Sequence, residues 1–230
     1  MTDMSRRKAI KTIGTAAVAA AVSATGVDAL ASGTSKNLED ERFNVLLING
    51  SPRPNGNTFR MLKEIASQLE KNGVQSEIVQ IGTAPVRGCI ACNQCSAQKL
   101  GKCLFDDDIC NRMIEKMSNA DALVVGSPVY YGVPAGQVLA LLQRMAYAAS
   151  DKMQRKPAAA VTVCRRGGAT SAFQTLQMPF QMLNMPIVTS QYWNIGYGLG
   201  PGEVENDAEG MQTMRTLADN MAFMLKRLKR

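Results

Sequence analysis

The hydrophobic pattern of residues 43–230 predicts strands and helices in alternation. Strands are predicted at 43–49, 75–80, 121–126, 158–164 and 186–190. Apolar residues at helical spacing indicate helices at 58–72, 107–118, 134–149, 169–183 and 205–228. Two of the strands, 121–126 and 158–164, are nearly continuous apolar runs, as expected of parallel strands covered on both faces. The pattern therefore predicts an α/β fold with one doubly wound, five-stranded parallel sheet and helices on both faces.

The loop between the first strand and the first helix has the composition of a phosphate site. It reads Gly50-Ser51-Pro52-Arg53-Pro54-Asn55-Gly56-Asn57-Thr58. A helix N-terminus attracts phosphate because its first N–H groups are unpaired and carry partial positive charge. Hydroxyls of Ser51 and Thr58, amides of Asn55 and Asn57, and the Arg53 guanidinium can add hydrogen bonds. The loop lacks the GxGxxG and GxxxxGK[ST] patterns, so it suits a lone terminal phosphate. An ordinary capped βα loop is the alternative.

Two further loops are predicted to end at the same edge of the sheet, where ligands of such folds bind. The first contains Pro128, Val129, Tyr130, Tyr131 and Gly132. Its apolar and aromatic side chains and exposed backbone would suit a flat tricyclic ring, although a turn with two packed tyrosines remains an alternative. The second, residues 164–170, includes Gly167 and Gly168, which let backbone approach a ligand, and arginines that can offset charge on a reduced ring.

The amino-acid composition excludes some kinds of catalysis and metal binding. The chain has 230 residues, 46% hydrophobic, and a net charge of +7, with a basic cluster at 226–230. That cluster fits a solvated helix C-terminus, and no interleaved aromatic pattern supports nucleic-acid binding. There is no histidine, which removes Ser–His and Cys–His catalysis and histidine-ligated metal sites. The chemistry must then come from a cofactor or from Cys, Tyr, Arg and acidic residues.

The N-terminal segment has the features of an export signal. Arg6 and Arg7 lie in a basic region, residues 13–27 are weakly apolar, and Ala29-Leu30-Ala31 matches an A-x-A cleavage site. Residues 1–31 thus resemble a twin-arginine (Tat) signal peptide, with 32–42 as a polar linker before the domain at 43–230. The resemblance implies periplasmic localisation and passage through the Tat translocon in the folded state. An organellar transit peptide or a plain N-terminal arm are the alternatives.

Together, the loops at 50–58, 127–132 and 166–168 resemble those of the flavodoxin-like NAD(P)H-dependent FMN reductase family over roughly 43–200. The resemblance implies that Ser51, Arg53, Asn57 and Thr58 hold the phosphate of FMN. It implies that Pro128, Val129, Tyr130 and Tyr131 line the isoalloxazine, with Gly167 and Gly168 at its far edge. It also implies a homodimer or higher homo-oligomer, and two-electron chemistry carried by the flavin rather than by catalytic side chains.

Five of the six cysteines fall within 22 residues, and the first four, Cys89, Cys92, Cys95 and Cys103, read C-x2-C-x2-C-x7-C. Such spacing brings thiolates together on one compact loop, as iron–sulfur clusters require. The motif resembles that of the iron–sulfur flavoprotein branch of the same fold, which implies a [4Fe–4S] cluster on these four residues. Disulfides and unliganded thiols remain alternatives, whereas zinc usually takes two separated CxxC knuckles.

Two functions follow from these expectations. The first is an FMN-dependent oxidoreductase that passes electrons to a small acceptor such as a quinone, a metal ion or an aromatic compound. The second is an electron carrier for a redox partner protein. Tyr130, Tyr131, Tyr192 and Trp193 favour the enzyme, since they could wall a cavity above the ring. Export would separate the protein from cytoplasmic nicotinamide cofactors and so require another electron donor.

Overall fold

The structure is a computed structural model that describes residues 43–228. The strands are β1 Asn44–Asn49, β2 Gln75–Gln80, β3 Ala122–Tyr130, β4 Val133–Pro134, β5 Ala158–Cys164 and β6 Ile195–Tyr197. The helices are α1 Asn57–Lys71, α2 Gln94–Ala97, α3 Cys110–Asn119, α4 Gly136–Ala148, α5 Ser150–Met153, α6 Ala169–Met182 and α7 Ala208–Leu228. A 3₁₀ turn, Glu203–Asn206, precedes α7.

Five strands form the predicted parallel sheet, in the order β2-β1-β3-β5-β6. The two-residue strand β4 pairs antiparallel with the end of β3. In this order the chain reverses direction across the sheet between β1 and β3, and such a reversal opens a crevice at the carboxyl ends of the strands. The topology therefore places any ligand beside the loops that follow β1 and β3.

Helices cover both faces of the sheet, and each face has its own apolar core. On one face α1 and α7 pack over alternate strand residues such as Val45 and Leu47. On the other, α3, α4 and α6 pack over the intervening residues such as Leu46 and Ile48. The alternation follows from the two-residue period of a strand. It explains why β3 and β5 read as continuous apolar runs, and the fold class predicted from the sequence is confirmed.

The predicted strand at 186–190 is wrong. Only Ile187 pairs with β5, through an isolated bridge to Ala158, and the fifth parallel strand is β6. Between them the Asn194 side chain donates to the Ala160 carbonyl at 3.0 Å, in place of a backbone N–H. The Ser190 hydroxyl bonds the same amide at 2.7 Å. The edge strand is thus interrupted, and residues 189–194 leave the sheet.

The predicted signal peptide, its cleavage site and the linker at 32–42 lie outside the described residues. Within residues 43–228 there is no helix that combines the length and the apolar character needed to cross a bilayer.

Candidate functional site

A cavity lies at the carboxyl ends of the strands, where the topology predicts a ligand. Its volume is about 140 Å³. The loops after β1, β5 and β6 and the end of strand β3 contribute to its walls. The residues that line it are Ser51, Arg53, Gly56, Asn57, Thr58, Pro128, Val129, Tyr130, Val163, Cys164, Arg165, Gly198, Leu199 and Pro201. The cavity thus combines hydroxyl and cationic groups with apolar and aromatic groups.

The loop after β1 is shaped by two amide side chains. The buried Asn49 accepts from the Ser51 N–H at 3.1 Å and donates to Gln80, which in turn donates to the Ser51 carbonyl. The Ser51 hydroxyl accepts from the Arg53 N–H at 3.1 Å. No side chain caps the N-terminus of α1 at Gly56, so its first N–H groups are available to an anion. Together with the buried hydroxyls of Ser51 and Thr58, these groups fit a phosphate.

Asn57 lines the cavity and also contacts the loop after β6. Its side chain donates to the Gly200 carbonyl at 2.9 Å and accepts from the N–H groups of Gly202, at 2.8 Å, and Val204, at 3.4 Å. A Cβ on Gly198 would lie 2.8 Å from its Nδ2. The amide therefore holds the 198–204 loop against the cavity as well as lining it.

The loop after β3 is a tight hairpin. Tyr131 and Gly132 both have positive φ, 51° and 83°, between the paired residues of β3 and β4. Positive φ at both central residues is the geometry of a type I′ turn, which matches the twist of the strands. The buried Ser127 hydroxyl accepts from the Ala135 N–H at 2.9 Å and closes the base of this hairpin. Tyr131 at the tip is fully exposed.

The loop after β5 packs directly on that hairpin. A Cβ on Gly168 would lie 2.7 Å from the Gly132 Cα, and Gly168 has a φ of 81°. The Ser171 hydroxyl donates to the Gly132 carbonyl. Only glycine satisfies both the positive φ and the close approach. Gly168 thus brings together two of the loops that were predicted to meet.

The structure divides the predicted FMN-binding residues into two groups. Ser51, Arg53, Asn57, Thr58, Pro128, Val129 and Tyr130 line the cavity, whereas Asn55, Tyr131, Gly132, Gly167 and Gly168 do not. Tyr192 and Trp193, which were expected to wall the cavity, lie exposed in the 189–194 loop and do not line it. Sequence reasoning missed Gly198, Leu199 and Pro201, although three glycines in 198–202 mark a loop where backbone can approach a ligand.

One thiol faces this cavity. Cys164 at the end of β5 is buried, and burial raises the pKa of its thiol against a backbone hydrogen bond at Arg166 that lowers it. The side chain is therefore a neutral thiol at neutral pH rather than a reactive thiolate.

The four cysteines of the C-x2-C-x2-C-x7-C motif line a second cavity. Cys89, Cys92, Cys95 and Cys103 face a space of about 20 Å³ together with Arg144 of α4. Cys89 and Cys92 are exposed, and none of the six cysteines forms a disulfide. Among residues 43–228, no three Cys, Asp or Glu side chains converge on a single metal-ion position. The four thiols thus share one cavity without forming a mononuclear site.

The loop that carries these cysteines, residues 88–104, has an unusual backbone. Ala91, Asn93 and Lys99 have positive φ, and they are three of the six non-glycine residues that do so within residues 43–228. Tyr147 of α4 donates to the Asn93 side chain at 2.5 Å. Left-handed backbone in non-glycine residues persists only where the surroundings fix it, and it clusters at functional sites.

The other buried cysteine, Cys110, has the features of an unreactive thiol. Cys110 begins α3 with no exposed surface, and burial raises the pKa of its thiol to about 12. Near it, burial lowers the pKa of Arg144, but Cys103, Cys110 and Asp108 raise it by more, so that the net pKa is raised.

These features define a flavodoxin-like α/β protein with one cavity at the sheet switch point and a separate cavity lined by cysteines. The chain matches the NADPH-dependent FMN reductase family over residues 43–200, and it belongs to that family. One relative is an iron–sulfur flavoprotein of Methanocaldococcus jannaschii. It is 32% identical over 194 residues, which cover 81% of this chain and 99% of the relative.

Solved structures support the fold. RosB with a bound 8-demethyl-8-formylriboflavin-5′-phosphate superposes with a TM-score of 0.62 at 17% identity, over 81% of this chain and 80% of RosB. A flavodoxin from the domain Archaea gives a TM-score of 0.51 at 14% identity, over 80% of this chain and 99% of the flavodoxin. At these identities the likeness concerns the arrangement of strands and helices.

Proposed function

We propose that the protein is an FMN-dependent oxidoreductase that passes electrons to a small acceptor such as a quinone, a metal ion or an aromatic compound. The observation that carries this proposal is the cavity at the strand ends. It joins an uncapped helix N-terminus and two buried hydroxyls, suited to a phosphate, to an apolar wall formed by Pro128, Val129 and Tyr130. Membership of the FMN reductase family supports the same ligand.

Within this proposal the two ends of the cavity have separate tasks. Ser51, Thr58 and the N–H groups of α1 would bind the phosphate, with Arg53 as a charge-assisted donor. Pro128, Val129 and Tyr130 would exclude water from one face of the ring. When bound, the flavin would supply hydride and single-electron chemistry. The cavity of about 140 Å³ is smaller than pockets that enclose a whole ligand, so part of the flavin would extend along the exposed hairpin.

The phosphate contact can be tested with Arg53→Ala. A hydrogen bond to a charged group contributes about 1.5–3 kcal/mol, so FMN should bind about tenfold or more weakly to this variant. Fluorescence titration of deflavinated protein with FMN gives the dissociation constant. Arg112→Ala, which removes an exposed arginine of α3, is the matched control. Equal affinity of wild type and Arg53→Ala would contradict the assignment.

We also propose that Cys89, Cys92, Cys95 and Cys103 hold a [4Fe–4S] cluster. Their shared cavity and the fixed backbone of the 88–104 loop support this, as does the similarity to an iron–sulfur flavoprotein. The absence of a single-ion position among the described residues is compatible with a cluster, whose four ligands bind four different irons. The cluster would give a one-electron route to the flavin.

The cellular setting is a further part of the proposal. The Tat-like N-terminus supports export of the folded protein to the periplasm, which would exclude cytoplasmic nicotinamide donors. A quinol, a cytochrome or another redox partner protein would then supply electrons. The family resemblance supports a homodimer or a higher homo-oligomer.

An electron carrier without a substrate of its own is the second candidate. The exposure of Cys89 and Cys92 favours it, because a cluster at the surface can exchange electrons with another protein. Steady-state turnover separates the two functions. With an excess of an artificial electron donor such as reduced methyl viologen, an enzyme should catalyse saturable, multiple-turnover reduction of a quinone, whereas a carrier should give a rate no higher than that of the donor alone.

A further inference from the structure

Arg144 of α4 is the only charged residue among the described residues 43–228 that is fully buried. Its side chain is 1% exposed, and that of its ion-pair partner Asp108 is 4% exposed. Burial of a charge is costly unless hydrogen bonds and an opposite charge compensate it. A buried arginine therefore has partners that the fold depends on, and these partners indicate its role.

The partners of Arg144 lie at both ends of the cysteine loop. Its guanidinium donates to the Arg87 carbonyl, at 3.4 Å, just before the 88–104 loop. It also donates to the Phe105 carbonyl, at 2.9 Å, and pairs with Asp108, both just after the loop. Asp108 in turn accepts from the Arg87 N–H at 2.8 Å. The Arg144 guanidinium on α4 thus joins the two ends of the 88–104 loop.

Arg144 also lines the cavity that the four cysteines face. Its Nε is buried and has no nitrogen or oxygen partner in the described structure, and the Cys103 side chain is the neighbour that raises the pKa of the guanidinium most. A buried donor without a partner is rare and requires an explanation. Beside four thiols, the group that would compensate an unpaired arginine donor is an anionic one, and a thiolate-bound cluster is such a group.

We infer that Arg144 is the positioning residue of the cysteine cavity: it holds both ends of the 88–104 loop on α4 and provides the buried positive charge beside the four thiols. The charge role rests on the cluster proposed above. The holding role rests only on contacts of the polypeptide. The two parts can therefore be tested separately.

The holding role is tested on FMN-loaded protein from which metal has been removed with a chelator. Trypsin cleavage after Lys99 and Lys102 reports opening of the loop, because cleavage requires local unfolding. In Arg144→Met, cleavage should be about tenfold faster or more, since removal of one partner of a buried pair is strongly destabilising. The matched control, Arg112→Met, should behave as wild type. Wild-type cleavage of Arg144→Met would overturn the holding role.

The charge role is tested on anaerobically prepared protein that contains the cluster. The midpoint potential, followed by the EPR signal of the reduced cluster, should become more negative in Arg144→Met, because the reduced cluster carries more negative charge. Arg144→Lys keeps the charge but loses the fork of donors. In this variant the 88–104 loop should therefore be cleaved faster than in wild type, while the midpoint potential of the cluster stays close to the wild-type value. Equal potentials in wild type and Arg144→Met would overturn the charge role.

If Arg144→Met does not fold, Arg144→Lys still provides the comparison with wild type. Retained FMN shows that the fold of either variant is intact. A wild-type protein without iron would contradict the cluster and with it the charge role. In that case the cleavage rates alone would still decide whether Arg144 holds the loop.

Discussion

At the scale of single residues, side chains near the strand ends act on the loops as much as on the cavity. Asn49 and Gln80 fix the backbone around Ser51, and Asn57 bonds three backbone groups of the 198–204 loop. Such bonds orient groups that would contact a ligand. The loops around the cavity are therefore held in place by amide side chains, of which Asn57 also lines the cavity.

Asn57→Ala should destabilise the protein by about 1–3 kcal/mol, because backbone groups at Gly200 and Gly202 lose their partner. The neighbouring Asn55 is exposed and does not line the cavity, so Asn55→Ala should lie within about 0.5 kcal/mol of wild type. Urea unfolding of the two deflavinated variants measures the difference. Equal unfolding free energies would show that the contacts of Asn57 contribute nothing.

At the scale of elements, two loops meet because of particular backbone conformations. The hairpin at Tyr131 and Gly132 turns back along β3, and Gly168 allows the loop after β5 to pack on it. Gly168 also lies close to Val129, which lines the cavity. The contact requires glycine at position 168, whereas position 167 has room for a side chain.

Gly168→Ala should lower the unfolding free energy by about 2 kcal/mol or more, because alanine at positive φ is strained and its Cβ would collide with Gly132. Gly167→Ala is the control, because its Cβ would meet nothing within 4 Å. Thermal unfolding of both variants gives the comparison. If the two behave alike, the close packing of these loops is not a constraint on the fold.

The same elements show what could be read from the sequence. Strands β1, β3 and β5 lie close to their predicted positions, because buried parallel strands are distinct apolar runs. The edge strand β2 also lies where it was predicted, although its sequence is mostly polar and only Val79 is buried. The other edge strand was placed at 186–190 rather than at β6, because an amide of Asn194 replaces backbone pairing and periodicity does not record such a bond. The loop at 198–201 was missed for the same reason, since it follows the misplaced strand. The role of Arg144 was also not visible, as its partners are distant in sequence.

At the scale of the whole molecule, the fold combines a cavity suited to FMN with a cysteine cavity on the loop after β2. Both would be complete before a folded protein is exported, so that cofactors could be inserted in the cytoplasm. This order of events connects the Tat-like N-terminus to the proposed cofactors.

Replacement of Arg6 and Arg7 by lysine together should retain the protein in the cytoplasm, because the twin arginines are the feature by which the signal would be read. Fractionation of cells that express each form, followed by immunoblotting, measures the distribution and detects cleavage after Ala31. A variant with a mutation in the polar segment, Lys36→Ala, serves as control. Unchanged export of the double variant would contradict a Tat signal.

The most direct test of the account is the iron, acid-labile sulfide and FMN content of anaerobically purified wild type, Cys92→Ser and Cys110→Ala. A [4Fe–4S] cluster on the four-cysteine cavity predicts about four irons and four sulfides per chain in wild type and in Cys110→Ala. Cys92→Ser should lose most of both while it keeps its FMN, since the phosphate loop lies on other elements. Wild-type protein that contains FMN but no iron after cluster reconstitution would contradict the account and leave an FMN reductase with a cysteine-rich loop.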